Sequence, residues 1–161
     1  MAKGIADGFP IGAFIARPDI ADAFTPGDHL STFGGNPVSC AAAMANIDVM
    51  ADEKLPQNAT ARGDELMKSL NELKEKYPLI GDVRGKGLMI GIELVKDKNK
   101  TPASDEAKQI RRLCREAGVL IGLGGVFGNV LRLQPPLILT EEETRKVLDV
   151  FEKSLVTLQA K

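Results

Sequence analysis

The stretch LMIGIELVKDKNKTPAS, from Leu88 to Ser104, decides how the fold reads. Leu88 to Val95 is apolar and rich in β-favouring residues, and it is short enough for a strand. Lys96 to Lys100 is polar throughout and reads as a turn. Ser104 stands where a helix N-cap is expected, ahead of an apolar face of Ala107, Ile110, Leu113, Cys114 and Ala117. Gly118 is placed to stop that helix. A strand passing through a turn into an amphipathic helix is the unit of a small sheet with helices packed on it.

The same grammar extends in both directions. Downstream, Val119 to Ile121 and Val130 to Leu133 read as short strands. Thr140-Glu141-Glu142-Glu143 is a capping box that opens a helix with Val147, Phe151, Leu155 and Leu158 inward. Upstream, a helix is expected from about Pro56 to Tyr77, with Leu66, Leu70, Leu73 and Tyr77 on one face and Pro78 closing it. Before that, Asn36-Pro37 reads as an N-cap followed by proline at the first helical position. Cys40, Ala41, Met44, Ile47 and Met50 or Ala51 continue it at helical spacing. At the start of the chain, Ile11 to Ala16 reads as a buried strand, and Pro18 to Phe24 as a short helix ended by Pro26-Gly27. The architecture is α/β or α+β, and periodicity leaves both open.

Composition excludes several classes of function. The chain has 161 residues and a formal charge of −1, which gives no electrostatic footprint for nucleic acid. Two cysteines far apart in sequence, Cys40 and Cys114, and one histidine, His29, speak against a zinc cage, a disulfide framework or a multi-histidine metal site. No apolar run approaches the roughly 20 residues of a membrane span. The first twelve residues lack the pattern of a signal peptide, and with the sparse cysteines these bounds point to a soluble protein from a reducing compartment. Charge is uneven, at −3 over residues 1–50 and +2 over the remainder.

Two glycine runs invite a nucleotide-binding reading, and both fail it. Gly122 to Gly128 lacks the following helix that a dinucleotide phosphate needs, and a hairpin loop suits it better. Gly81 to Gly87 (GDVRGKG) has the wrong spacing for a phosphate loop and runs on into a strand, so tight turns entering the sheet explain its glycines. Three other residues bear on chemistry. Lys3 near the chain start reads, alone, as a solvated cation. Thr32, in Ser31-Thr32-Phe33-Gly34-Gly35-Asn36-Pro37, belongs either to an anion cradle at a helix N-terminus or to a mobile turn before a capped helix. Arg132 lies within Val130-Leu131-Arg132-Leu133. On spacing alone an internal salt bridge is favoured, the alternative being a bidentate site for a carboxylate.

Together these segments resemble a known family. Ala2 to Ala13 (AKGIADGFPIGA) resembles the cofactor-lysine segment of class III pyridoxal-phosphate aminotransferases. Ser31 to Pro37 is similar to their phosphate-contact loop, Gly81 to Met89 to the entry of their C-terminal domain, and Leu131 to Leu137 (LRLQPPL) to their substrate-carboxylate segment. The texture of Gly81 to Glu93 is most similar to the alanine–glyoxylate and 4-aminobutyrate branch. The resemblance implies residues 1–50 as the end of a fold-type-I large domain, 51–77 as a connecting helix, and 78–161 as a small domain with a largely antiparallel sheet. It implies pyridoxal 5'-phosphate as cofactor and transfer of an amino group from an amino acid to a 2-oxo acid or aldehyde. Lys3 would form the Schiff base and move the proton at Cα. Thr32 would bind the cofactor phosphate of the neighbouring subunit in a homodimer with a shared active site, and Arg132 would hold the substrate carboxylate. A cytoplasmic or mitochondrial-matrix location goes with that branch.

The family's lysine lies past the middle of a longer chain, whereas here it is the third residue. The acid that pairs with the pyridine nitrogen, the ring stacked on the cofactor and the first phosphate loop are all outside this sequence. A fragment is therefore expected, inactive alone, and either completed by a separate N-terminal half or surviving as a dimerisation or interaction module.

Overall fold

A computed structural model describes residues 1–159 and divides them between two compact units, Met1–Lys54 and a second that begins at Leu55. In the first unit, a 3-10 turn over Lys3–Ala6 is followed by a short helix α1 (Pro18–Ala21) and the longer α2 (Pro37–Asp52). Asn36 caps α2 as expected, its side chain accepting from the Ser39 N–H at 3.0 Å. The strand expected over Ile11 to Ala16 is absent. That segment has no β-partner, and its backbone bonds instead to the chain start, where the Ala13 N–H donates to the Met1 carbonyl at 2.9 Å. The helix expected through Phe24 stops at Ala21, where the Asp22 N–H donates to the Pro18 carbonyl at 2.8 Å and the Ala23 N–H to the Ile20 carbonyl at 3.3 Å.

The apolar stripe expected on α2 also departs from the observation. Met44 and Ile47 are exposed, and the buried positions are Ser39 and Ala43. Small side chains face inward because the lysine segment packs close against the helix.

The second unit is built on a four-stranded sheet. Its strands are β1 (Ile80–Lys86), β2 (Met89–Leu94), β3 (Gly122–Gly124) and β4 (Val130–Leu133), in the order β1-β2-β4-β3, with every pair antiparallel. The helices α3 (Leu55–Lys76), α4 (Ser104–Glu116) and α5 (Glu141–Gln159) complete it. An antiparallel sheet with helices gathered on one face is an α+β arrangement, which settles the alternative that periodicity left open. Leu66, Leu70, Ile90, Ile92, Leu131 and Leu155 form the centre of a single core.

β1 falls on the glycine run that spacing assigned to turns. Only Lys86-Gly87-Leu88-Met89 is a turn, with Gly87 at φ +53°. Three glycines had masked the alternation of Asp82, Arg84 and Lys86 outward with Val83 inward. β3 lies at Gly122–Gly124, beyond the expected Val119 to Ile121, which caps α4 through the Val119 N–H to the Cys114 carbonyl at 2.8 Å. Ala103, and not Ser104, is the N-cap of α4. The Ser104 hydroxyl donates across to the Phe127 carbonyl at 2.6 Å, tying the glycine loop to the helix. Ala117, expected on the inner face, is exposed because α4 has ended before it. The capping box of α5 forms as read: the Thr140 hydroxyl accepts from the Glu143 N–H, and the Glu143 carboxylate accepts from the Thr140 N–H and hydroxyl.

Candidate functional site

Lys3 opens the 3-10 turn with φ +54°, a left-handed backbone that costs a non-glycine residue about 1 kcal/mol. What holds it there is α2. The Asn46 side-chain amide donates to the Gly4 carbonyl at 2.8 Å and to the Ile5 carbonyl at 3.2 Å, the two residues after the lysine. Ala6 is buried against the helix, and the Ser39 hydroxyl donates to the Pro10 carbonyl at 3.2 Å. The lysine side chain itself is exposed. Sequence reasoning passed over Asn46, since a lone asparagine inside a helix carries no pattern that marks it as a clamp.

Thr32 lies on the loop before α2, and its side chain is exposed. Two bonds shape that loop: the Gly34 N–H donates to the Ser31 carbonyl at 3.4 Å, and the Asn36 side chain to the Phe33 carbonyl at 3.0 Å. Among the described residues the Thr32 hydroxyl has no intramolecular partner. A depression of about 740 Å³ in the same unit is walled by Phe14, His29, Ser31 and Phe33; neither Lys3 nor Thr32 lies on its wall. The two residues thus share a unit without sharing a cavity.

Arg132 is central to β4, on the sheet face opposite the core. The register sets Arg84, Gly91, Arg132 and Gly122 in one row across all four strands. Both in-register neighbours of Arg132 are glycines, and its side chain lies along β3. A Cβ placed on Gly122 would meet its Nε at 3.3 Å, and one on Gly124 would meet it at 3.4 Å. The internal salt bridge favoured on spacing is not found: among the described residues no carboxylate oxygen comes within 4.0 Å of Arg132. The neighbouring arginine has the opposite fate. Arg84 Nη1 donates to Asp82 Oδ2 and to Glu93 Oε2, each at 2.7 Å. A depression of about 410 Å³ runs between the two arginines over Gly91.

Lys3 presents an exposed primary amine and Thr32 an exposed hydroxyl, donor types that fit the carbonyl carbon and the phosphate of pyridoxal phosphate respectively. The described residues hold no cluster of three or more metal-ligating side chains, and none of their helices is long and apolar enough to cross a membrane.

Comparison with known proteins extends this local picture. The profile of the family described as aminotransferase class-III matches residues 1–155. An alanine–glyoxylate aminotransferase 2 homolog, mitochondrial, from Arabidopsis thaliana is 47% identical over 96% of this chain and 33% of its own length. A phospholyase from Arthrobacter, solved in complex with phosphoethanolamine, superposes with a TM-score of 0.89 at 35% identity, over 98% of this chain and 38% of that one. An amine transaminase from an uncultivated Pseudomonas species, solved in its PLP-bound form, gives a TM-score of 0.74 at 38% identity, over 82% of this chain and 30% of that one. The chain thus spans about a third of the length of the curated relatives it matches.

Proposed function

The chain belongs to the class III aminotransferase family, and from that premise we propose that it carries the C-terminal share of an enzyme moving an amino group from an amino acid to a 2-oxo acid or aldehyde. In this reading residues 1–50 close a large cofactor-binding domain, 51–77 connect, and 78–161 form the small domain. Pyridoxal 5'-phosphate, when bound, supplies the electron sink. The Lys3 amine holds the cofactor and carries the proton to and from the substrate Cα. The Thr32 hydroxyl donates to a phosphate oxygen, in a homodimer to that of the neighbouring subunit. Arg132 grips the substrate carboxylate through two parallel N–H donors and so fixes the direction of the Cα–H bond. A cytoplasmic or mitochondrial setting belongs to the same reading.

The observation that carries the proposal is the state of Arg132: a guanidinium in the middle of a sheet, cushioned on glycines, with no carboxylate partner among the described residues. A cation so placed is suited to an anion brought from outside. The test is amino transfer from L-alanine to glyoxylate by the 161-residue chain, alone and co-expressed with a polypeptide matching the first two-thirds of a class III relative. The expected result is turnover in the mixture only, abolished by Lys3→Ala and greatly slowed by Arg132→Ala. Equal turnover by the Lys3→Ala mixture would overturn the reading.

A second reading draws on the first unit's surface. Ala6 and Ala43 are its buried apolar residues, while Phe14, Ile15, Leu30, Phe33, Val38 and Met44 are exposed. Such a surface suits a non-catalytic dimerisation or interaction fragment, or one half of a split aminotransferase. Turnover in the mixture separates the last of these from the first two.

A further inference from the structure

Two arginines share the open face of the sheet, and their surroundings differ in kind. Arg84 and Arg132 stand two strands apart in one row, about 10 Å between backbones at ordinary strand spacing, with only Gly91 between them. Arg84 is held by two carboxylates, Asp82 and Glu93. Glu93 pairs across with Val130, two residues before Arg132, which makes it the diagonal neighbour of Arg132 on the same face. Long side chains in that relation reach each other. Glu93 is therefore a diagonal neighbour of both arginines by register, and its ion pair is with Arg84.

We propose that Arg84 is a positioning residue: by engaging Glu93, with Asp82 as its second anchor, it keeps Glu93 off Arg132 and leaves that guanidinium open for a substrate carboxylate. The inference rests on the reading of Arg132 given above and adds to it the reason Arg132 is free. Two features act together. On one side, the side-chain-free surface of Gly122 and Gly124 lets the Arg132 stem lie along β3. On the other, Arg84 draws the Glu93 carboxylate toward β1. Without the Arg84 charge, Asp82 and Glu93 face each other across β1 and β2 with like charges and no cation between them. Glu93 then turns to the nearest remaining guanidinium, Arg132. An internal carboxylate at that distance competes with any carboxylate from solution, and an exposed ion pair of ordinary strength lowers the external affinity about three- to fivefold.

The experiment follows the Arg132 Nε–H resonance of the 161-residue chain by NMR during titration with sodium acetate, against sodium chloride of equal ionic strength. In the wild type, acetate is expected to shift Arg132 and leave Arg84 in place. In Arg84→Gln, the Arg132 resonance should start displaced toward its acetate-bound position, with the acetate midpoint raised about three- to fivefold. Glu93→Gln alone should leave the Arg132 resonance near its wild-type position. The double variant Arg84→Gln/Glu93→Gln should restore both position and midpoint, a rescue that mere loosening of the sheet would not produce. If Arg84→Gln leaves the resonance and midpoint unchanged while wild-type Arg132 still responds to acetate, the proposal is overturned and the carboxylate reading stands. If wild-type Arg132 ignores acetate and responds only as it does to chloride, both fall together.

Discussion

Gly63 of α3 and Gly87 at the tip of the β1–β2 hairpin meet backbone to backbone: a Cβ on Gly63 would lie 2.4 Å from the Gly87 carbonyl oxygen. Neither partner is the flexible end of a side chain, so nothing can swing away. Gly63 breaks the helical propensity of α3 to allow this approach, and the approach seats the hairpin on the helix. Replacing it should cost far more than the propensity change returns. Gly63→Ala is expected to destabilise the chain by at least about 2 kcal/mol, read from the urea midpoint at unchanged slope. A change below about 0.5 kcal/mol would mean the contact is not tight in solution.

The start of α5 should be sensitive to acid. The Thr140 backbone N–H and hydroxyl hold the Glu143 carboxyl below its ordinary value of 4.5. A carboxyl depressed on folding contributes stability that is fully present above 4.5 and is lost as pH falls through the folded value. The wild type should therefore melt above Glu143→Gln at neutral pH, and the gap should close on acidification below about pH 4. A gap independent of pH would show that the capping bond does not depend on the charge.

The two thiols should differ in reactivity. Cys114 is fully buried, its thiol pushed upward by burial, and lies 3.6 Å from the Ser154 hydroxyl; Cys40 is half-buried on α2. A thiol-reactive disulfide reagent should modify Cys40 in the native chain and Cys114 only as the second unit opens. Equal native rates would contradict the packing of α4 against α5.

Asn46 offers a test of how the lysine segment is held. Asn46→Ala removes both donors to the Gly4 and Ile5 carbonyls while improving the helix propensity of α2. Backbone order parameters at Gly4 and Ile5 should fall, with helicity of α2 retained. Unchanged order at both residues would show that burial of Ala6 alone fixes the turn.

What was legible in the sequence, and what was not, follows from the physics of each element. α3, β2, β4 and α5 carry long or clean periodic patterns with caps, and each was read close to its observed bounds. β1 was hidden because glycines at positions 81, 85 and 87 look like punctuation, although Gly85 is there so that Met89 and Ile90 can approach. The absent strand over Ile11 to Ala16 shows the reverse error: an apolar run was taken as buried, yet most of it is exposed in this unit. For the site, Lys3, Thr32 and Arg132 were weighed on their local chemistry and took their roles from the resemblance, while Asn46, Arg84 and Glu93 act through pairings across 9 to 42 residues that no local pattern records. Arg132 itself was weighed toward an internal salt bridge because register, which places glycines on both sides of it, cannot be read from one strand.

The most direct test of the central claim is covalent. The chain is incubated with pyridoxal phosphate, reduced with borohydride and mapped by mass spectrometry, with and without a polypeptide matching the first two-thirds of a class III relative. The account predicts scattered labelling of exposed lysines for the chain alone and one dominant label on Lys3 in the mixture, lost in Lys3→Ala. Labelling in the mixture that favours Lys3 no more than Lys54 or Lys86 would contradict it.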